Sequence, residues 1–239
     1  MRNKVRPFAG RLLAAAIAVL LAACAVPSPP PPPAPPTAPA AAPAEPYAGL
    51  LEGRYPGPLL KIGDDALIAI TVRRGGPLAR LGHDHVVAAR RITGYAAPAA
   101  GLAALRFQLA EMTVDEGPLR EEAGLTTQPS PDAIAGTRHN MLTKVLDAER
   151  WPAVDVRARR LPGAAGAMEA DITLHGVTRR VVVPTTLENT AQGVVARGTL
   201  TILQTDFGIV PFAVLGGAMA VQDALEIRFA IPARATMAP

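Results

Sequence analysis

Along most of the chain from Ile62 onward, apolar residues recur at every second position, a period that fits strands and not helices. Ile68, Ile70 and Val72 share one face of the segment Ala66 to Val72. Leu105, Phe107 and Leu109 alternate with Arg106, Gln108 and Ala110, and Met168, Ala170, Ile172 and Leu174 alternate with Glu169, Asp171, Thr173 and His175. Val181, Val183, Thr185 and Leu187 follow a turn at Gly176; Leu200 and Ile202 sit in a long candidate strand from Gly193 to Thr205. Leu225, Ile227, Phe229 and Ile231 form the last, and Val86 to Tyr95 and Ala153 to Leu161 bring the expected total to about eight. One stretch departs from the rhythm. Ser130 is placed to cap a helix starting at Pro131, with apolar residues at Ile134, Met141, Leu142, Val145 and Leu146 and a stop at Pro152. The pattern predicts an all-β domain of antiparallel strands with a short helical insertion, closed as a barrel or stacked as a sandwich. An eight-stranded barrel is either filled by its own side chains or holds one small ligand, and periodicity leaves that choice open.

The N-terminus reads differently. Arg2, Lys4, Arg6 and Arg11 are followed by Leu12 to Ala23, an uncharged run of Leu, Ala, Ile and Val. A membrane-spanning helix needs about 20 apolar residues, so this shorter run predicts the core of a secretory signal. It ends in Leu21-Ala22-Ala23-Cys24, which resembles the bacterial lipobox. The resemblance implies a signal peptide over 1–23, cleavage before Cys24, and lipid on its thiol as a membrane anchor. Each acyl CH₂ buried contributes about 0.8 kcal/mol, so two or more chains hold a domain stably. Ala25 is not the Asp of the inner-membrane retention signal. The expected location is therefore the periplasmic face of the cell envelope, at the outer membrane. Cys24 is the only cysteine, so the exported domain is expected to hold together without disulfides.

Removing the signal also removes four cations. Lys and Arg fall from 24 to 20 against 20 Asp and Glu, so the formal +4 belongs to the signal peptide. The mature chain is neutral and gives no support for nucleic-acid binding. From Ala25 to Pro46 nearly every residue is Pro or Ala, with Pro29 to Pro33 unbroken. Such a segment favours extended polyproline II and predicts a stalk, so the organisation reads as signal 1–23, lipidated stalk 24–49 and barrel domain 50–239.

Within the domain, Asp171-Ile-Thr-Leu-His175-Gly-Val-Thr-Arg-Arg-Val-Val-Val-Pro184 resembles a signature strand pair of the YceI-like proteins. Thr205-Asp-Phe-Gly-Ile209, Pro211-Phe212, the run Leu215 to Asp223 and Arg150-Trp151-Pro152 fit further segments of that family. The resemblance runs from about Ile62 to Ala233. It implies an eight-stranded antiparallel lipocalin-like barrel, with an elongated apolar cavity that in some members takes a polyisoprenoid or isoprenoid-quinone chain. The first hairpin departs from the common pattern: Gly82-His83-Asp84-His85 stands where many relatives have a lone His, which marks a subgroup.

His83 and His85, at the start of a strand, would share a face about 6.6 Å apart at ~3.3 Å per residue. That spacing allows a metal pair, with His139, His175 or Asp84 as a third ligand. It equally allows hydrogen bonding in a polar patch at a barrel end, or acid–base work. His139 follows Arg138 on the helix and is expected at the barrel mouth; His175, just before Gly176, is expected to fix a turn. Phe107, Phe207, Phe212 and Phe229 are candidate cavity residues. Ser28 and Ser130 are the only serines, one in the stalk and one at the helix cap, so serine hydrolysis has no candidate nucleophile. Gly216-Gly217 lacks the Lys and helix of a phosphate loop and reads as a bend. The expected function is a non-enzymatic, lipid-anchored binding protein for an apolar isoprenoid-like molecule, without cofactor. The expected contacts are His83, His85, Phe107, His139, Leu174, His175, Phe207 and Phe212. A metal-dependent role for His83 and His85, and an interaction module with no small ligand, are the alternatives.

Overall fold

Residues 46–163 and 166–235 are described by a computed structural model of the chain. The alternating segments become twelve strands: β1 (Leu60–Ile62), β2 (Leu67–Gly75), β3 (His85–Ala89), β4 (Ile92–Ala97), β5 (Leu102–Gln108), β6 (Thr113–Val114), β7 (Ala153–Arg160), β8 (Ala167–Leu174), β9 (Val177–Thr190), β10 (Gly193–Leu203), β11 (Ala213–Val214) and β12 (Met219–Ala235). They build eight staves. β1 and β2 are halves of one stave, because β1 pairs β4 and β12 while β2 pairs β3 and β12. β3 and β4 are likewise one stave broken at Arg90-Arg91. From there the ladder runs β5, β7, β8, β9, β10 and β12, every pair antiparallel. β12 closes the ring. Its 17 residues pair with β10 along one edge and with β1 and β2 along the other. The result is a closed eight-stranded antiparallel barrel, which leaves no long free edge.

The expected faces hold. Ile68, Ile70 and Val72 turn inward, as do Ile172 and Leu174 on β8 and Ile227 and Phe229 on β12. Removing each such side chain from water stabilises the fold by roughly 1.5–3 kcal/mol. Four local expectations are corrected. The segment Val86 to Tyr95 is two strands, because the chain bends at Arg90-Arg91. Leu109 leaves the strand for a 3₁₀ turn over Leu109–Glu111. The candidate strand to Thr205 ends at Leu203, where a 3₁₀ turn over Gln204–Phe207 begins. The helix α3 (Pro131–Asn140), capped by the Ser130 hydroxyl accepting from Ala133 N–H at 3.2 Å, ends well before Pro152. Its last turn, Met141–Val145, widens to a π turn closed by Leu146 N–H donating to the Met141 carbonyl at 2.9 Å.

Two short helices have no counterpart in the periodicity. α1 (Ala48–Glu52) packs Leu50 on Ala97 and Ala104 of the barrel wall, and Tyr47 meets Tyr95 edge-on at 5.4 Å between ring centroids. The barrel's packing thus takes in residues from Pro46, whose carbonyl accepts from Arg157 at 3.1 Å. α2 (Gly117–Glu122) carries Leu119 onto Ala69, Val86 and Ala88, covering the outer face of β2 and β3. Outward-facing Arg106 is also buried, held by a bidentate pair to Asp155 on the adjacent strand at 2.6 and 2.8 Å. The stalk residues up to Glu45 and Cys24 lie outside the described residues.

Candidate functional site: an apolar cavity along the barrel axis

The barrel is not filled by its side chains. A cavity of about 460 Å³ runs along its axis, from Arg160 and Met168 near one end to His83 and His85 at the other. Volumes of about 300–1,000 Å³ are typical of small-molecule sites. Its middle is wholly aliphatic and aromatic, with Ile70, Phe107, Val156, Ile172, Leu200 and Phe229 facing inward. α3 and its π turn close over the histidine end, where Thr137, Asn140 and Met141 also face the cavity. Leu81 and Leu215, 57% and 70% exposed, stand on the segments bordering this end.

The histidine end is organised by a carboxylate that the sequence did not single out. Asp115 adopts a left-handed backbone conformation (φ 59°) just past β6, and its side chain is completely buried. Its Oδ2 lies 2.6 Å from Nδ1 of His85. Its Oδ1 accepts from Val86 N–H at 3.0 Å and from the buried Arg120 of α2. Burial by itself would raise the Asp115 pKa. The hydrogen bonds donated by His85, by Val86 N–H and by Arg120 outweigh burial and hold the carboxyl below its ordinary value of 3.8. A carboxylate only accepts, so Nδ1 of His85 carries the hydrogen of their bond. The other ring nitrogen, Nε2, faces Thr137 Oγ1 at 3.4 Å. Hydroxyl, imidazole and carboxylate stand in the order of an acyl-transfer triad, but at 3.4 Å the first link is long, and no serine is present there.

His83 lies beside this chain of bonds. Its ring centroid is 6.3 Å from that of His85, at an interplanar angle of 75°. Its Nδ1 is enclosed and has no hydrogen-bond partner among the described residues. Between the two, Asp84 turns away: its Oδ1 accepts from Arg74 N–H at 2.9 Å. Asp84 is therefore engaged elsewhere and is not a third ligand. Among the described residues no three His, Cys, Asp or Glu side chains converge as a metal-binding group.

The remaining expected contacts separate into two sets. Phe107, Leu174 and Phe212 line the cavity; the Phe212 ring also lies 5.9 Å beneath Lys144 Nζ. His139, Phe207 and His175 do not line it. His139 is exposed on the solvent side of α3, because Thr137, Asn140 and Met141 occupy the inward positions. Phe207, only 1% exposed, packs in the core beside the barrel end. His175 occupies the turn between β8 and β9, its ring against Trp151 at 6.3 Å and its Nδ1 3.4 Å from the Phe207 carbonyl. Asp115, Arg120 and Thr137 are the residues that sequence reasoning missed. The only trace was Pro118 in the first turn of a possible helix after an acidic pair.

A closed antiparallel barrel of eight strands around an apolar cavity places the molecule with the lipocalin-like barrels. More narrowly, the chain belongs to the YceI-like family, whose domain model matches residues 104–233. A polyisoprenoid-binding domain from Saccharophagus degradans, implicated in plant cell wall breakdown, has a similar fold. The TM-score is 0.51 at 12% identity, over 74% of this chain and 98% of that one. BcnA of Burkholderia cenocepacia aligns at a TM-score of 0.48 and 14% identity, over 71% of this chain and 98% of its own. No curated protein matches the sequence at a significant level.

Proposed function

We propose that this protein is a non-enzymatic carrier of an apolar, isoprenoid-like chain, held in the barrel and tethered to the cell envelope through Cys24. The observation that carries the reading is the cavity. It is long and apolar in its middle, with polar side chains at the histidine end and Arg160 at the other, so it suits one extended hydrocarbon with a polar head. Burial of apolar surface supplies about 25 cal/mol per Å², sufficient for affinity without covalent chemistry. The Saccharophagus degradans domain, described as polyisoprenoid-binding, supports the choice of ligand class. The lipobox-like Leu21 to Cys24 supports the tether, with the outer membrane as its expected place.

Native mass spectrometry of the full mature chain purified from its host, with organic extraction of the same sample, tests the carrier reading. A bound, extractable species of several hundred daltons with a polyprenyl fragmentation pattern is expected. A chain that is empty as isolated and takes up no polyprenyl compound when challenged would overturn it. The tether is tested separately with Cys24→Ser. The variant is expected to incorporate no labelled lipid and to persist as unprocessed precursor; a variant that is cleaved and fractionates with the membrane as wild type does removes the anchor.

A further inference from the structure

We propose that the exposed apolar rim at the histidine end of the barrel docks on a lipid bilayer. This rests on the tethered-carrier reading and adds the surface through which the barrel meets the membrane. From Phe207 to Val221 the chain has no charged or polar side chain. Phe207, Ile209 and Phe212 turn into the core or the cavity, but Val210, Val214 and Leu215 are 81%, 40% and 70% exposed. Every residue from Ala213 to Gly217 is exposed. Leu215 has φ 52°, a left-handed conformation that leucine rarely adopts, and Gly216 and Gly217 continue it at 63° and 89°. Leu81, 57% exposed, belongs to the neighbouring turn, which is tied to this loop by Leu78 N–H donating to the Ala218 carbonyl at 2.8 Å. Elsewhere the outer wall is covered by the chain's own short helices, through Leu50 of α1 and Leu119 of α2. Among the described residues, nothing covers the rim.

Chain length and flanking charge point to a membrane as the occupant. Pro46 is fixed to the barrel wall by Arg157, and Cys24 lies 22 residues before it. A segment so rich in Pro and Ala is expected as polyproline II, which at ~3.1 Å per residue spans about 70 Å. β12, the longest strand, has 17 residues, so at ~3.3 Å per residue the barrel is at most about 55 Å tall. A tether at Cys24 therefore lets the rim reach the bilayer. Arg80, exposed on the Leu81 turn, and Lys144, exposed on the π turn with its ammonium 5.9 Å from the Phe212 ring, flank the rim. Aliphatic tips beside cations suit the membrane interface: the tips enter the acyl boundary and the cations stay with the phosphates. A loop of Val, Leu, Ala and Gly offers none of the Trp, Tyr or Arg anchors that centre a protein interface. Val214 also faces the cavity, so the docked rim joins the apolar interior of the bilayer to that of the barrel. A polyprenyl chain then passes between them without crossing water.

The test uses the full mature chain, acylated at Cys24 and reconstituted in vesicles of phosphatidylethanolamine and phosphatidylglycerol. Leu215→Cys carries an environment-sensitive fluorophore at the rim. Ala191→Cys carries the same label at the opposite end, on the exposed turn between β9 and β10. The rim label is expected to shift to the blue and to be quenched by doxyl lipids, while the label at 191 stays in water. Uptake of geranylgeraniol gives a second readout. Leu81→Asp combined with Leu215→Asp changes two exposed residues that do not line the cavity. The double variant is expected to take up geranylgeraniol from vesicles roughly 10-fold more slowly, with unchanged affinity for the same compound presented in detergent. Equal quenching of the two labels overturns the docking. So does a rim label that stays in water on vesicles and is buried only when cell extract or a second copy of the chain is added, which gives the surface to a protein. A chain that binds no geranylgeraniol fails the carrier reading and leaves the quenching contrast to decide the docking. A chain isolated without acyl groups fails the tether; the labels are then read in a Cys24→Ser background on excess vesicles, where the same contrast supports the docking and equal quenching overturns it.

Discussion

Asp115 is surrounded by donors: the His85 ring, Val86 N–H and the Arg120 guanidinium. Because these hold its pKa below 3.8, its contribution to stability is complete above the ordinary carboxylate range and is lost as pH falls below it. Unfolding free energy of the wild type is therefore expected to drop on acidification below about pH 4 more steeply than that of Asp115→Asn, in urea titrations across pH. At neutral pH the same substitution leaves Arg120, 3% exposed, without its counter-charge, and is expected to lower stability by about 3–5 kcal/mol. Little of this was legible beforehand. His83 and His85 stood out because histidine is scarce, but Asp115 lies some thirty residues on, after a two-residue strand with no periodicity to mark it. What joins them is the pairing of β3 with β6, a tertiary fact.

At the scale of elements, the hairpin between β8 and β9 shows how a turn fixes a register. His175 and Gly176 have φ of 51° and 73°, both left-handed, as a two-residue type I′ connection requires. Leu174 then pairs with Val177 and every inward residue of both strands follows. Trp151 lies directly over Gly176, so that a Cβ there would meet its ring at 2.5 Å. Gly176→Ala is accordingly expected to destabilise by about 1–3 kcal/mol and to shift the emission of Trp151, the chain's one tryptophan. His175→Asn, a residue that tolerates this backbone, is expected to keep the register and stay within about 1 kcal/mol of wild type in denaturant titrations. The strands were readable because one inward and one outward residue per pair is a strong signal. So was α3, from Ser130 and Pro131. α1 and α2 were not, because each is about one turn long and presents too few apolar positions to set a period.

For the whole molecule, the unfilled interior is the property that periodicity could not supply. Alternation shows that Ile70, Ala196 and Phe229 face inward, but whether opposing side chains meet depends on the barrel's radius, set by strand tilt and stagger. An open interior gives up the packing contacts that a filled one would make, so a ligand that completes them stabilises the folded state alone. At a hundredfold excess over its Kd, a polyprenyl compound adds about 2.7 kcal/mol, which for a domain of this size raises Tm by roughly 5–10 °C. Ala196, on β10 at mid-barrel between Leu187 and Ile231, is the position to test it. Ala196→Phe is expected to fill part of the cavity and abolish most of the ligand-induced shift in a thermal melt, while the ligand-free Tm stays near that of wild type or rises. A mutant that keeps the full shift would place the binding surface outside the barrel. Loss of the shift with an unchanged fold would tie ligand and barrel stability to the same enclosed space.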